Sequence, residues 1–136
     1  VESAIVLPVL LLMLLFMLDL ALAAFRYNAL GEAVRLAART AIVHGAESPQ
    51  PGSSWGPATM AGHVADGSSV ADALSHHLPT MTAANVTYRV SWPDGENRPG
   101  CRVRAEATYA HQPILGALIP YGPITLNATC TMRVVN

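Results

Sequence analysis

The chain opens on Val1-Glu2-Ser3-Ala4-Ile5-Val6-Leu7-Pro8 and continues Val9-Leu10-Leu11-Leu12-Met13-Leu14-Leu15-Phe16-Met17-Leu18-Asp19-Leu20-Ala21-Leu22-Ala23-Ala24-Phe25. Between Ser3 and Leu18 no residue is charged and seven positions are leucine; as far as Phe25 the only charge is Asp19. Coiled as an α-helix, Ser3–Phe25 is about 34 Å long, enough to cross a hydrocarbon core of about 30 Å. A secretory signal carries a basic start and a short apolar run of roughly 7–15 residues. Here the basic start is missing and the apolar run passes directly into a helical pattern, so the segment is expected to stay in the mature protein.

That pattern extends well beyond Arg26. Leu30, Ala33, Val34, Ala37, Ala41 and Ile42 recur at spacings of three, four and seven, marking one apolar face, with Glu32 and Arg35 a turn apart on the polar side. Gly45, Ser48, Pro49 and Pro51 stop it. The spacing therefore predicts one helix over residues 1–45, apolar all round in its first half and amphipathic in its second. The second half has a face to pack on a folded domain. The first half, built from Ile5, Val6, Leu7, Pro8, Leu11, Leu12, Leu15, Phe16 and Leu18, needs a membrane or other copies of itself.

Three features interrupt the apolar rod. Pro8 removes a backbone hydrogen bond and is expected to kink or loosen the helix near Ala4, or else to be a tolerated membrane proline. Asp19 either marks the membrane edge or is an intramembrane carboxylate in need of a partner, since an acid at mid-membrane costs roughly 2.5–3.5 kcal/mol. Glu2 suits the positive end of the helix dipole, either as a plain capping charge or as the partner of a neighbouring subunit's amino terminus.

Composition bounds the rest. The chain has 136 residues, eight arginines and no lysine against nine acids, a net charge of −1, 51% hydrophobic and 12% charged residues. A near-neutral chain lacks the basic face that phosphate binding needs, so nucleic acid is not an expected partner. The hydrophobic content is far above that of disordered chains. After the Pro/Gly/Ser-rich stretch 48–56, residues 46–136 read as one small head. Ser68 followed by Val70–Leu74 predicts a capped short helix ending near Pro79, and Met60–Ala65 another helical turn. From about residue 85 the period becomes two. Val86, Tyr88, Val90 and Trp92 form one inward set; Cys101, Val103, Ala105, Ala107 and Tyr109 a second; Ile124, Leu126, Ala128, Cys130, Met132 and Val134 a third. Three antiparallel strands with one apolar face, covered by the amphipathic half of the long helix, make an α+β fold: a hydrophobic helical shaft packed on a small antiparallel β-sheet head.

Cys101 and Cys130 fall on inward faces of adjacent predicted strands. A bond between them would stabilise the head by about 3.5 kcal/mol in the loop-entropy model. The alternative is two buried free thiols.

No catalytic signature stands out. The chain has no G-x-S-x-G, no H-E-x-x-H and no phosphate-cradling glycine loop. His76-His77 lacks a second ligand pair at metal spacing, and His44, His63 and His111 are isolated in the sequence. Neither a metal, a cofactor nor an enzymatic activity is expected. Arg89, Arg98, Arg102 and Arg104 are interleaved with Asp94, Glu96 and Glu106, as on a solvated sheet face. Two sequons begin at Asn85 and Asn127.

The run from Val1 to Pro8 and its leucine tract, Asp19, Arg26-Tyr27-Asn28-Ala29-Leu30 and the stretch Glu32–Arg39 together resemble TadE-like pilins. The last part of the chain, Tyr109–Pro120 leading into Ile124–Val135, resembles them more loosely. The resemblance implies a type IV pilin-like subunit of the tight-adherence (Flp-type) branch. Such a subunit is cleaved by a prepilin peptidase, held single-pass in the bacterial inner membrane, and handled by the Tad assembly machinery. It is then drawn into, or initiates, an extracellular filament made of copies of itself or of related chains. The family's N-terminal glutamate maps onto Glu2, although type IV pilins generally place that acid at the fifth mature position. Glu2, Asp19 and Arg26 become the candidate assembly charges. The head is larger than the bare helices of Flp-type major pilins, which favours a minor or initiating subunit, whereas the all-round apolar rod is compatible with a homopolymer.

Overall fold

A computed structural model describes residues 2–49, 52, 54–117 and 122–135. Helix α1 runs unbroken from Glu2 to Val43. It passes through Pro8 without interruption because the bond that proline removes is the one to the Ala4 carbonyl, in the opening turn of the helix. The head follows as β1 (Met60–His63), α2 (Ser69–Ser75), β2 (Val86–Ser91), β3 (Arg102–His111) and β4 (Ile124–Arg133). Single 3-10 turns stand at Val64–Asp66, Ala83–Asn85 and Ile114–Ala117. The strands form one antiparallel sheet in the order β1-β2-β3-β4.

The second half of α1 lies across β3 and β4. Its Leu30, Ala33, Val34, Ala37, Ala38 and Ala41 are essentially inaccessible and meet the inward set of the sheet: Val86, Tyr88, Val90, Val103, Ala105, Ala107 and Tyr109. Four alanines on this stripe bring the helix backbone close to the sheet, and each fully buried valine or leucine contributes about 1.5–3 kcal/mol. Helix α2 closes the core beside α1, with Val70, Ala71 and Leu74 inward. The Ser68 hydroxyl caps it by accepting the Ala71 N–H at 3.1 Å and contacts the Tyr88 hydroxyl at 2.6 Å.

The end of the head nearest the C-terminus of α1 is closed by backbone and amide contacts. Trp55 N–H donates to the His44 carbonyl, Asn97 Nδ2 to the Trp55 carbonyl, and Val135 N–H to the Ile42 carbonyl at 3.0 Å. Gly56 is required here: its φ is +81°, and a Cβ would stand 2.5 Å from the Trp92 ring.

Three expectations are corrected. Met60–Ala65 is not a helical turn but strand β1 followed by the Val64–Asp66 turn; β2 offers Met60–His63 a complete antiparallel partner, from Met60 opposite Val90 to His63 opposite Thr87. Cys101 and Cys130 are not bonded, and both thiols are free and half-buried. Register is the reason: Cys130 stands opposite Ala105, while Cys101 accepts the Val134 N–H, so the two cysteines are offset by four residues. At about 3.3 Å per residue that offset is about 13 Å, beyond the roughly 7 Å between Cα atoms that a disulfide can bridge. Ile124, expected inward, is 42% exposed, because β4 begins beyond the sheet area that α1 covers. The remaining inward residues of β4, Leu126 to Met132, are half-buried, and Val134 is buried.

Candidate functional site

Two features carry the functional reading: the bare surface of the rod, and the point where the rod meets the head. Ile5, Val6, Leu7, Pro8, Leu11, Leu12, Phe16 and Leu18 are all exposed, Leu7 to 72%, and Leu15 is half-buried. The exposed belt also takes in Val9, Leu10, Met13, Leu14 and Met17 and continues past Asp19 through Leu20 to Phe25. By length and composition α1 is able to cross a membrane. An exposed apolar surface of this extent is far larger than a solvated monomer carries.

At the lower end of the head the structure brings two of the three candidate charges together with groups that sequence alone did not single out. The Asp19 carboxylate is 4% exposed. Its Oδ1 accepts the backbone N–H of Ile114 at 2.8 Å and its Oδ2 that of Leu115 at 3.0 Å. These are orphan donors of the opening of the Ile114–Ala117 turn, so an acid from the rod caps a turn of the head. Asp19 is a satisfied carboxylate whose partner lies within its own chain.

Almost two turns further on, Arg26 reaches the same corner. Its Nη1 lies 2.7 Å from His111 Nδ1, its Nε 3.4 Å from Thr80 Oγ1, and its guanidinium 5.6 Å from the centre of the Tyr109 ring. Arginine has no lone pair to offer, so His111 Nδ1 must accept and the imidazole must be neutral, with its proton on Nε2. Burial at 1% exposure favours the same neutral form; together with the Arg26 charge it pushes the His111 pKa below its ordinary range, against a smaller opposing pull from Asp19. The Glu2 side chain lies outside the described residues. His111, Thr80 and the Ile114 and Leu115 amides were missed from sequence; the available signal was a carboxylate inside an apolar helix, which needs donors from somewhere.

Arg98, Arg102 and Arg104 of the basic stretch are paired at the opposite end of the head. Arg102 donates to Asp94 from Nη2 at 2.6 Å and from its backbone N–H at 2.8 Å, which holds the Asp94 carboxyl down at about 2. Arg98 faces Glu96 and Arg104 faces Glu106, both at 3.7 Å. Glu32 and Arg35 form the expected exposed pair at 2.7 Å. Among the described residues no three His, Cys, Asp or Glu side chains gather as metal ligands.

Residues 1–39, which hold the exposed belt, Asp19, Arg26 and the start of the buried stripe, match the family model described as TadE-like protein. No curated protein and no solved structure matches the chain.

Proposed function

We propose that this chain is a non-catalytic, pilin-like structural subunit of a Tad pilus system. In this reading α1 anchors the chain single-pass in the inner membrane, with the head outside. Prepilin peptidase and the Tad assembly machinery then act on the subunit, and the rods of many copies pack together as the core of a surface filament. The observation that carries it is the union of an exposed apolar rod with a folded head through one continuous helix. Lipid tails and neighbouring apolar rods are similar surroundings for leucine, so transfer from bilayer to filament exchanges like for like. A repeated contact between non-identical surfaces that does not close on itself builds a helical filament.

The size of the head favours a second reading: a minor pseudopilin or membrane-anchored initiation factor that does not itself polymerise. Mass spectrometry of filaments sheared from the cell surface separates the two. A polymerising subunit is the dominant protein of the pellet. An initiator is a trace component or stays in the membrane fraction, and its deletion removes filaments made of another chain.

A further inference from the structure

Formal charge is segregated along the head. The β3 and β4 strands run lengthwise, with Arg102 opposite Arg133 at one end and His111 opposite Ile124 at the other. Asp94, Glu96, Arg98, Arg102, Arg104 and Arg133 belong to the end far from the rod. From Ala107 to Met132 the sequence holds no Asp, Glu, Lys or Arg, and from Ala73 to Tyr88 it again holds none. From these two segments Thr80 and the Ile114–Ala117 turn stand at the lower end, where Thr80 meets Arg26 and the turn meets Asp19. The charges at this end are Asp19 and Arg26 of the rod; Asp66, after β1 at the opposite edge of the sheet, accepts the His63 N–H. Among the described residues Ile114, 55% exposed, and Ile124 show apolar side chains on the lower part of the head, and Leu20 and Phe25 are exposed on the rod.

The length of the rod sets the depth of this end. Measured from the Glu2 charge that borders the charge-free run Ser3–Leu18 to Asp19 at its other border, the helix rises about 25 Å, short of a hydrocarbon core of about 30 Å. A span that fills the core therefore passes Asp19 and approaches Phe25. A bare carboxylate at that level is expensive. This one is bonded by two amides of the head, and the turn that supplies them is necessarily at the same level.

We propose that in the membrane-anchored subunit the uncharged lower end of the head, the Ile114–Ala117 turn with Ile124 beside it, is immersed in the headgroup–acyl boundary of the bilayer, so that lipid is the partner of this surface. The proposal rests on the membrane-spanning reading of α1 given above. Arg26, about 10 Å farther along the helix axis than Asp19, then lies toward the phosphate level, and the paired charges of the far end stand in water.

The test is tryptophan quenching of the full chain in phosphatidylcholine vesicles with and without bromine on the acyl chains. The native Trp55 and Trp92 are buried in the head and give the baseline. Leu12→Trp reports on the span, Ile114→Trp on the turn and Arg98→Trp on the far end; all three positions are exposed, so each ring fits without repacking. The expected result is loss of the added emission for Leu12→Trp and Ile114→Trp, with none for Arg98→Trp. Quenching of Leu12→Trp alone overturns the immersed turn and leaves the span standing. Quenching of neither overturns both. Quenching of Arg98→Trp as well overturns the proposal, since the head then lies against the bilayer without the stated orientation.

Discussion

Arg26 Nη1 and His111 Nδ1 lie 2.7 Å apart, which ties the middle of α1 to the last residue of β3. The contact exists only while His111 is neutral. Protonation places a second N–H where the arginine donates and sets two cations against each other, with Asp19 the opposing charge among the described residues. Tyr109 and Thr80 also face Arg26 at this corner.

A pH dependence follows from the direction of the His111 shift. An imidazole whose folded pKa is depressed leaves the unfolded chain with more bound protons over the pH range between the two values. Its contribution to stability is present above the ordinary value of 6.5 and drains as the pH falls through the lowered one. Thermal melting in detergent is expected to show declining stability from pH 7 to pH 5. In His111→Gln, whose amide oxygen still accepts from Arg26, that decline flattens. An identical slope in both proteins contradicts the assignment.

Asp19→Ala strips the acceptor from two amides at the foot of the head. Leaving such donors without partners costs about 1–3 kcal/mol. Hydrogen exchange at Ile114 and Leu115 is expected to accelerate roughly ten- to hundredfold, at 1.4 kcal/mol per factor of ten. Amides of β2 and β3 keep their protection, because the head core does not use Asp19. Under the proposed function the same variant alters assembly while the head remains folded, which counts of sheared filaments check. Asp19→Asn, which keeps one acceptor oxygen, falls between the variant and the native chain.

Ala37→Leu adds volume to a fully buried stripe between α1 and the sheet. Overpacking of this kind typically costs about 1–3 kcal/mol, and a lowered melting temperature is the expected reading. Leu12→Ala, on the exposed rod, leaves the melting temperature of the head unchanged, since Leu12 has no part in the core.

Alkylation of the unfolded chain without reductant is expected to modify both Cys101 and Cys130, because the strand register holds them apart. A chain that takes up no alkylating reagent until it is reduced contradicts that register.

How legible the molecule was in its sequence depended on distance along the chain. The long helix, its buried stripe from Leu30 to Ala41 and the inward sets of β2 and β3 repeat at a fixed period, so they could be read directly. Strand β1 could not, because Met60–His63 is only two periods of alternation long and contains Gly62. Its pairing with β2 decides its conformation, and that is a tertiary fact. Cys130 packs against the core, but Cys101 precedes β3, and the register that separates the two depends on where the segment between β3 and β4 lets the second strand begin. Asp19 was visible as an anomaly and left two readings open. Its partners lie ninety-five and ninety-six residues away, and backbone amides carry no sequence signature.

Under the proposed function one helix serves both as membrane anchor and as filament core, with the head fixed to it at Asp19 and Arg26. Cryo-electron microscopy of sheared surface filaments tests this most directly. The expected density is a repeating unit in which the Ile5–Phe25 rods pack together in the interior and each head projects outward, joined to its rod at the Ile114 turn. Filaments whose density consists of bare helices without this head, from cells that retain the chain in their membranes, would contradict it.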